Sequence, residues 1–324
     1  MCAVDFSSTS MSPEDQAIAE SIAELKKQLG DDLLILGHHY QRDSIVMHAD
    51  FLGDSFMLSQ KAAASDAKYI VFCGVHFMAE TAKILNPTKT VVLPDKDAGC
   101  SLEQSCPAPA LQNYLQEHAE RNYYVIAYIN CSAGVKALSD VICTSGNAIR
   151  IVEQAPEDRP ILFVPDENLG AWVMENSNRK MDLWKGSCYV HVEFTRNSIQ
   201  SIKDEHPEAL VVAHPECTSA VRMLADEVCS TEKMITYCRE APAKDLIVVT
   251  EGGMLHRLRK EVPNKNLIAG PTENCACADC RYMKMNTLEK LHACLENLEP
   301  QVEIPEETRK LAEASVIRML EQSR

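Results

Sequence analysis

Three thiols fall within six residues in the stretch ENCACADCRYMKMN, at Cys275, Cys277 and Cys280. Closely spaced cysteines of this kind often bind zinc, but no second Cys or His pair stands nearby to complete a site, which weakens that reading. A wider pattern competes with it. Cys100, Cys188 and Cys280 are separated by 88 and 92 residues. His38, Tyr128 and His214 keep a similar step of 90 and 86, and seventeen residues after each comes a hydroxyl, at Ser55, Ser145 and Thr231. A period near 88 is far too long for a solenoid and reads as three copies of one small domain. If the copies surround a pseudo-threefold axis, one cysteine from each meets at the centre. Three thiolates then leave the fourth position of a metal site open. A tetrahedral zinc and a [4Fe–4S] cluster with three protein ligands both answer to that description, and composition does not choose between them.

The elements that would carry these residues are short apolar runs: LLILG, KYIVFCG, TVVLPD, YYVIAYIN, VICTS, ILFVPD, ALVVAHPE, LIVVTE and NLIAGP. Each is followed by mixed sequence of about a helix length, the pattern of parallel strands covered on both faces, which makes the chain an α/β layered protein. Ligands in such folds bind beyond the carboxyl ends of the strands. His38, Tyr128 and His214 sit there, and Ser55, Ser145 and Thr231 stand near probable helix starts, where backbone N–H groups and the helix dipole attract carboxylate and phosphate. Taken one at a time these hydroxyls read equally as ordinary N-caps; their common spacing favours a shared anion-binding cavity. Ahead of the first strand, Ser12, Pro13 and Asp15 mark the start of a helix, PEDQAIAESIAELKKQLG, that ends at Gly30.

With 324 residues and 46% apolar content the chain is a globular protein of several units. Its net charge of −15 disfavours non-specific binding to nucleic acid or to an anionic membrane face. No apolar stretch reaches the ~18 residues of a membrane span, and the first residues lack the features of a secretory signal, so a soluble, cytoplasmic protein is expected. Fourteen cysteines in a reducing compartment point away from a disulfide framework and toward metal ligation or core packing.

The strand-end motifs, taken together, resemble a known family. GHHYQ at 37–41, GDSFMLS at 53–59, FCGVHFMAETAKIL at 72–85, LPDKDAGCSL at 93–102, AYIN at 127–130, CTSGNA at 143–148, WKGSCYVH at 184–191, HPEC at 214–217 and CRYMKMN at 280–286 are similar, in this order, to quinolinate synthases. The resemblance implies three homologous three-layer αβα domains with short parallel sheets and pseudo-threefold symmetry around a central [4Fe–4S] cluster, one per chain, held by Cys100, Cys188 and Cys280. It implies condensation of iminoaspartate with dihydroxyacetone phosphate to quinolinate for NAD biosynthesis, with loss of phosphate and water, by a carbon–carbon bond-forming transferase. The open iron would serve as a Lewis acid. Glu216 is the expected general base, Tyr40 a proton donor or acceptor at the substrate oxygen, and His191 a group for the dehydration near the iron. His38, His214, Ser55, Ser145, Thr231, Tyr128 and Asn130 are expected to bind phosphate and carboxylate. His39 is expected to point into the fold, and His76 to be structural. An aspartate-oxidising enzyme is the expected source of iminoaspartate and a candidate for transient contact.

The domain boundaries that follow are a helical segment at 1–30, units at 31–104, 105–192 and 193–280, and a tail at 281–324 packed on the first unit. Two departures from the family pattern stand out. The run at 275–280 is C-x-C-x-x-C where some relatives have C-x-x-C-x-x-C with a redox pair beside the ligand, which puts such a switch in question here. In CSTEKM at 229–234, Cys229 replaces a glycine and Lys233 is added, which puts the geometry of the third anion site in question. An aconitase-like hydro-lyase would use the same open iron but does not carry FCGVHFMAE or CRYMKMN. A metal-binding sensor would leave Tyr40, Tyr128, Asn130 and Glu216 without a purpose.

Overall fold

The structure is a computed structural model and describes residues 11–272 and 278–324; Cys275 and Cys277, with the redox question attached to them, lie outside the described residues. Among the described residues, twelve strands build three sheets of four. The first holds β1 (Leu33–His38), β2 (Phe51–Gly53), β3 (Tyr69–Cys73) and β4 (Thr90–Val92). The second holds β5 (Tyr124–Tyr128), β6 (Val141–Cys143), β7 (Ile161–Val164) and β8 (Met181–Leu183), and the third β9 (Leu210–Ala213), β10 (Glu227–Val228), β11 (Asp245–Val249) and β12 (Asn266–Ala269). In each sheet the second strand lies at one edge, so the orders are 2-1-3-4, 6-5-7-8 and 10-9-11-12, and every pairing is parallel. All nine apolar runs are strands. The three strands without such a run, β2, β8 and β10, are edge strands of two or three residues with partly open faces, which need no continuous apolar stretch.

The repetition reaches single hydrogen bonds. Asp50, Asp140 and Asp226 each accept, through Oδ2, from the backbone N–H of the residue fifteen positions earlier: Ile35 at 2.7 Å, Val125 at 2.8 Å and Val211 at 2.8 Å. Each aspartate N–H donates back to the same residue's carbonyl. The pair pins the loop before each edge strand to the middle of the central strand. These aspartates recur at steps of 90 and 86, the same as the strand-end residues His38, Tyr128 and His214. Three copies of one α/β unit account for both series.

The helix Pro13–Leu29 starts as read: Ser12 Oγ accepts from Asp15 N at 3.0 Å, proline occupies the first turn, and Gly30 follows at φ +52°, where a side chain would be strained. Its apolar stripe packs with the helix Leu288–Asn297 over the first sheet, so that Ile22, Leu33, Ile35, Leu288, Leu291 and Leu295 share one core. The end of the tail departs from expectation. The helix Glu306–Gln322 lies mainly on the second unit, where Ser315 Oγ donates to Lys136 O at 2.8 Å and Arg150 bonds Ser323 O at 3.2 Å. The reason is coverage: the second unit's helix Ala133–Ala137 has only five residues, and Ala312, Val316 and Met319, spaced to one face, complete that core. Arg309 also bonds Ile84 O in the first unit, so the tail straps two units together rather than resting on one. Among the described residues no helix is long and apolar enough to cross a membrane.

Candidate active site

The carboxyl ends of β1, β5 and β9 converge on one cavity. Its walls hold every site residue named from the sequence: His38, Tyr40, Ser55, Tyr128, Asn130, Ser145, His191, His214, Glu216, Thr231, Cys100, Cys188 and Cys280. An adjoining cavity of about 600 Å³ shares Asp54, Thr144 and Ser145 with it. Ser55 and Thr231 are the first residues of the helices Ser55–Ala64 and Thr231–Glu240; the N-cap positions belong to Asp54 and Ser230. Their side chains are therefore not used as caps; Asp54 Oδ1 accepts from Met57 N at 2.9 Å at the first start, whereas Ser230 makes no side-chain cap at the second. Ser145 lies in the turn before the helix Ala148–Glu153. The departures at 229–234 stay out of the site: Cys229 is buried with Met234 in the third unit's core, and Lys233 is exposed in the adjoining cavity.

Glu216 is 3% exposed and holds two strong hydrogen bonds. Tyr128 Oη donates to its Oε1 at 2.6 Å, and His191 Nδ1 lies 2.8 Å from its Oε2. Burial pushes this carboxyl up, but the imidazoles of His191 and His214, with the bonds from His191 and Tyr128, outweigh it and hold Glu216 below the usual carboxylate range. The buried carboxyl is a poised anion. Tyr128 thereby gives its one proton to Glu216.

His38 and His214 repeat one device. The backbone N–H two residues on donates back to Nδ1, from Tyr40 to His38 at 3.1 Å and from Glu216 to His214 at 3.4 Å. Burial pulls His214 down to about 3 against the pull of Glu216, and burial, followed by His39 and Lys284, takes His38 well below its ordinary value. A neutral ring that accepts at Nδ1 carries its proton at Nε2. Each ring is thus a fixed single donor. Tyr40 is pushed up by burial and by the charge of Glu216, so its phenol stays protonated. Among the described residues, Asn130 Oδ1 is buried without a hydrogen-bond partner.

The three cysteines of the long period line the same cavity, while the other described cysteines are buried. Cys100 and Cys188 occupy the positions just before the helices Ser101–Ser105 and Tyr189–Val192. Burial pushes all three thiols up and neighbouring thiols add to the shift at Cys100 and Cys188; backbone N–H groups two or three residues onward pull each one back. Among the described residues, two sets of donor atoms lie within 4.8 Å of one another: Cys188, His191 and Glu216, and His76, Glu80 and Glu103. The three thiols are not such a set.

The matching family description is Quinolinate synthetase A protein, whose model covers residues 20–321. The chain belongs to the quinolinate synthase family. Its relatives include the quinolinate synthase of Trichodesmium erythraeum (strain IMS101), 49% identical over 312 residues that make up 96% of this chain and 95% of that one. Those of Prochlorococcus marinus (strain MIT 9303), at 49% over 93% and 89% of the two chains, and Nostoc punctiforme, at 48% over 94% and 93%, are similar to it over the same span.

Three further residues of this family member stand at strand ends around the site, Glu251 in the cavity lining and Asp166 and Thr250 outside it. Asp166 follows β7, is fully buried and N-caps the helix Glu167–Glu175; burial, then the charge of Glu216, push its carboxyl well up. Thr250 and Glu251 follow β11. Glu251 Oε1 accepts from Cys280 N at 2.9 Å and pairs with Lys284 at 3.0 Å, which ties the third thiol's loop to the third sheet. All three occupy the strand-end positions where ligands bind in α/β folds, so reading every run to its last residue would have found them. His39 turns away from the cavity, buried, with Nε2 at 2.6 Å from Glu232. His76 lies outside the cavity lining, 3.5 Å from Glu103.

Proposed function

We propose that this chain condenses iminoaspartate with dihydroxyacetone phosphate to quinolinate, releasing phosphate and water, with a [4Fe–4S] cluster on Cys100, Cys188 and Cys280. The observation that carries the reading is Glu216: an ionised, buried carboxylate bonded by Tyr128 and His191 in a cavity that also contains the three thiols. The donor set fits the cluster, since each thiol has backbone N–H groups close by that favour the thiolate. When bound, the cluster supplies a Lewis acid at the iron that no cysteine holds.

The chain's own residues divide the remaining work. Glu216 takes the proton from carbon beside the carbonyl or imine. Tyr40, protonated, gives a proton to departing oxygen. His38 and His214 offer Nε2–H donors to substrate oxygens, and Ser55 and Thr231 add hydroxyls to two helix starts, which suits a phosphate and carboxylates. Asn130 binds a carboxylate, and His191 holds Glu216 in register. Protein purified without oxygen, given dihydroxyacetone phosphate and freshly generated iminoaspartate, should form quinolinate over many turnovers. No quinolinate from protein with an intact cluster would overturn the reading.

A further inference from the structure

A second cavity, of about 180 Å³, lies between the first and third units and shares no residue with the central one. The first unit supplies His39 and Gln41, 3% and 2% exposed, from the loop after β1. The third supplies His256, Arg257 and Lys260 from the helix Gly253–Glu261. Among the described residues, four buried atoms of this lining have no hydrogen-bond partner: His39 Nδ1, Gln41 Oε1, His256 Nε2 and Arg257 Nε. Buried polar atoms are rarely left unpaired, so four around one cavity call for an occupant.

The remaining polar atoms of these groups are held across the boundary or on the outside. His39 Nε2 lies 2.6 Å from Glu232 Oε1, and His256 Nδ1 lies 2.7 Å from Asp43 Oδ2. A carboxylate only accepts, so each ring donates outward and keeps its other nitrogen for the cavity. That nitrogen offers a lone pair in the neutral ring and an N–H in the charged one, so it meets a bare or a protonated oxygen equally well. Arg257 behaves likewise: its Nη2 pairs with Glu261 at 2.8 Å, and Nε–H is left over.

Charge decides the class of occupant. A guanidinium N–H only donates, Lys260 adds a second fixed cation at the exposed rim, and among the described residues the lining contains no Asp or Glu. A metal ion would meet two cations and no anionic ligand there. Gln41 Nε2 touches only Met283 Sδ, at 3.4 Å, a weak acceptor, so turning the amide to present its NH2 group to an anion gives up little.

We propose that this cavity binds a phosphate-sized oxyanion, held by Arg257 and Lys260 of the third unit and by His39 and His256 on either side of the unit boundary. The site goes beyond the condensation and does not rest on it. An anion bonded from both units also favours their docked arrangement.

The test is equilibrium binding of radiolabelled inorganic phosphate to the cluster-loaded full chain under nitrogen, in wild type, Arg257→Gln, Lys260→Gln and Glu261→Gln. Arg257→Gln should weaken one class of phosphate binding by about tenfold or more, the loss of one charge-assisted bond. Lys260→Gln should weaken it by about threefold, since its charge is exposed. Glu261→Gln breaks the outer ion pairs of Arg257 and Arg239 but keeps the lining, so it should stay within about twofold of wild type. None of the three positions lines the central cavity, so phosphate held there should bind equally in all four proteins. The wild-type Tm should also rise in phosphate relative to chloride of equal ionic strength, and rise less in Arg257→Gln. Competition by glycerol phosphate at equal concentration would make the ligand a phosphoryl group on a larger molecule, and lack of competition would make it the free ion; either supports the site. Equal phosphate binding in wild type and Arg257→Gln, or an equal loss in Arg257→Gln and Glu261→Gln, would mean that the cavity holds water only and would overturn the proposal.

Discussion

Tyr128 donates to Glu216 across the boundary between two sheets, over 2.6 Å, from the last residue of β5 to a residue just past β9. The base is therefore complete only while the second and third units are docked. Because this bond lowers the carboxyl of Glu216, removing it must raise that carboxyl and leave a buried charge less well satisfied. A bond to a charged group is worth about 1.5 to 3 kcal/mol, or about one to two pH units. Tyr128→Phe should shift the acid limb of the kcat/KM profile upward by about that much. An unmoved acid limb would show that Glu216 is not the group that titrates.

Glu216→Gln keeps the shape and the acceptor oxygen but cannot take a proton. If this residue is the general base, kcat should fall by about a hundredfold or more while cluster absorbance stays. Activity within about tenfold of wild type would send the base role elsewhere, and buried Asp166 is no substitute because its carboxyl caps the helix Glu167–Glu175 through Asn168 N and Leu169 N, outside the cavity lining.

Cys280→Ser, Cys188→Ser and Cys100→Ser should each lose both the iron–sulfur absorbance and activity. Cys238→Ala, which removes a buried thiol from the third core, should keep both and cost only about 1 kcal/mol of stability. Iron and sulfide assays on the four proteins decide between this assignment and one in which other cysteines serve.

What the sequence disclosed, and what it hid, follows from range. Parallel strands buried on both faces are short apolar runs, so nine of them were legible, and the repeat showed itself because the same residue types recur at the same strand ends. The partnering of those ends was not legible. That Tyr128 would spend its proton on Glu216, or that Thr250 would bridge Tyr40 and His191, depends on how three units face one another, and spacing along the chain carries no such information. The tail misled for a similar reason: the stripe of Ala312, Val316 and Met319 shows that a face is buried, without saying that the second unit's short helix leaves room for it.

The neutral imidazoles give a pH dependence with a definite sign. His38 and His214 are held below their unfolded value near 6.5, His214 at about 3. Above pH 6.5 both states are neutral and the contribution is whole. As pH falls below 6.5 the unfolded chain takes up protons that the native state refuses, so stability falls continuously toward the native values. Urea midpoints should drop between pH 7.5 and 5, and His214→Gln should flatten that slope. An equal slope in the variant would mean that other groups carry the acid sensitivity.

Docking of the second and third units also depends on Arg222, which is 5% exposed. Its Nη1 donates to Asn168 O at 3.1 Å and Cys217 O at 2.7 Å, and its Nη2 bonds both oxygens of Glu175 at 2.8 and 3.0 Å. One guanidinium thus links the helix Glu167–Glu175 of the second unit to the carbonyl of the residue after Glu216. Arg222→Ala strands two carbonyls and should cost about 2 to 3 kcal/mol, a fall in Tm of roughly 3 to 4 °C. Glu175→Gln should cost under about 1 kcal/mol, since the Glu175 side chain is half exposed and water screens its charge. Because Cys217 neighbours the base, Arg222→Ala should also lower kcat at temperatures well below its Tm. Equal stability losses in the two variants would place the strength of the strap in the ion pair instead of the carbonyl bonds, and full activity in Arg222→Ala would show that docking of these units does not limit the chemistry.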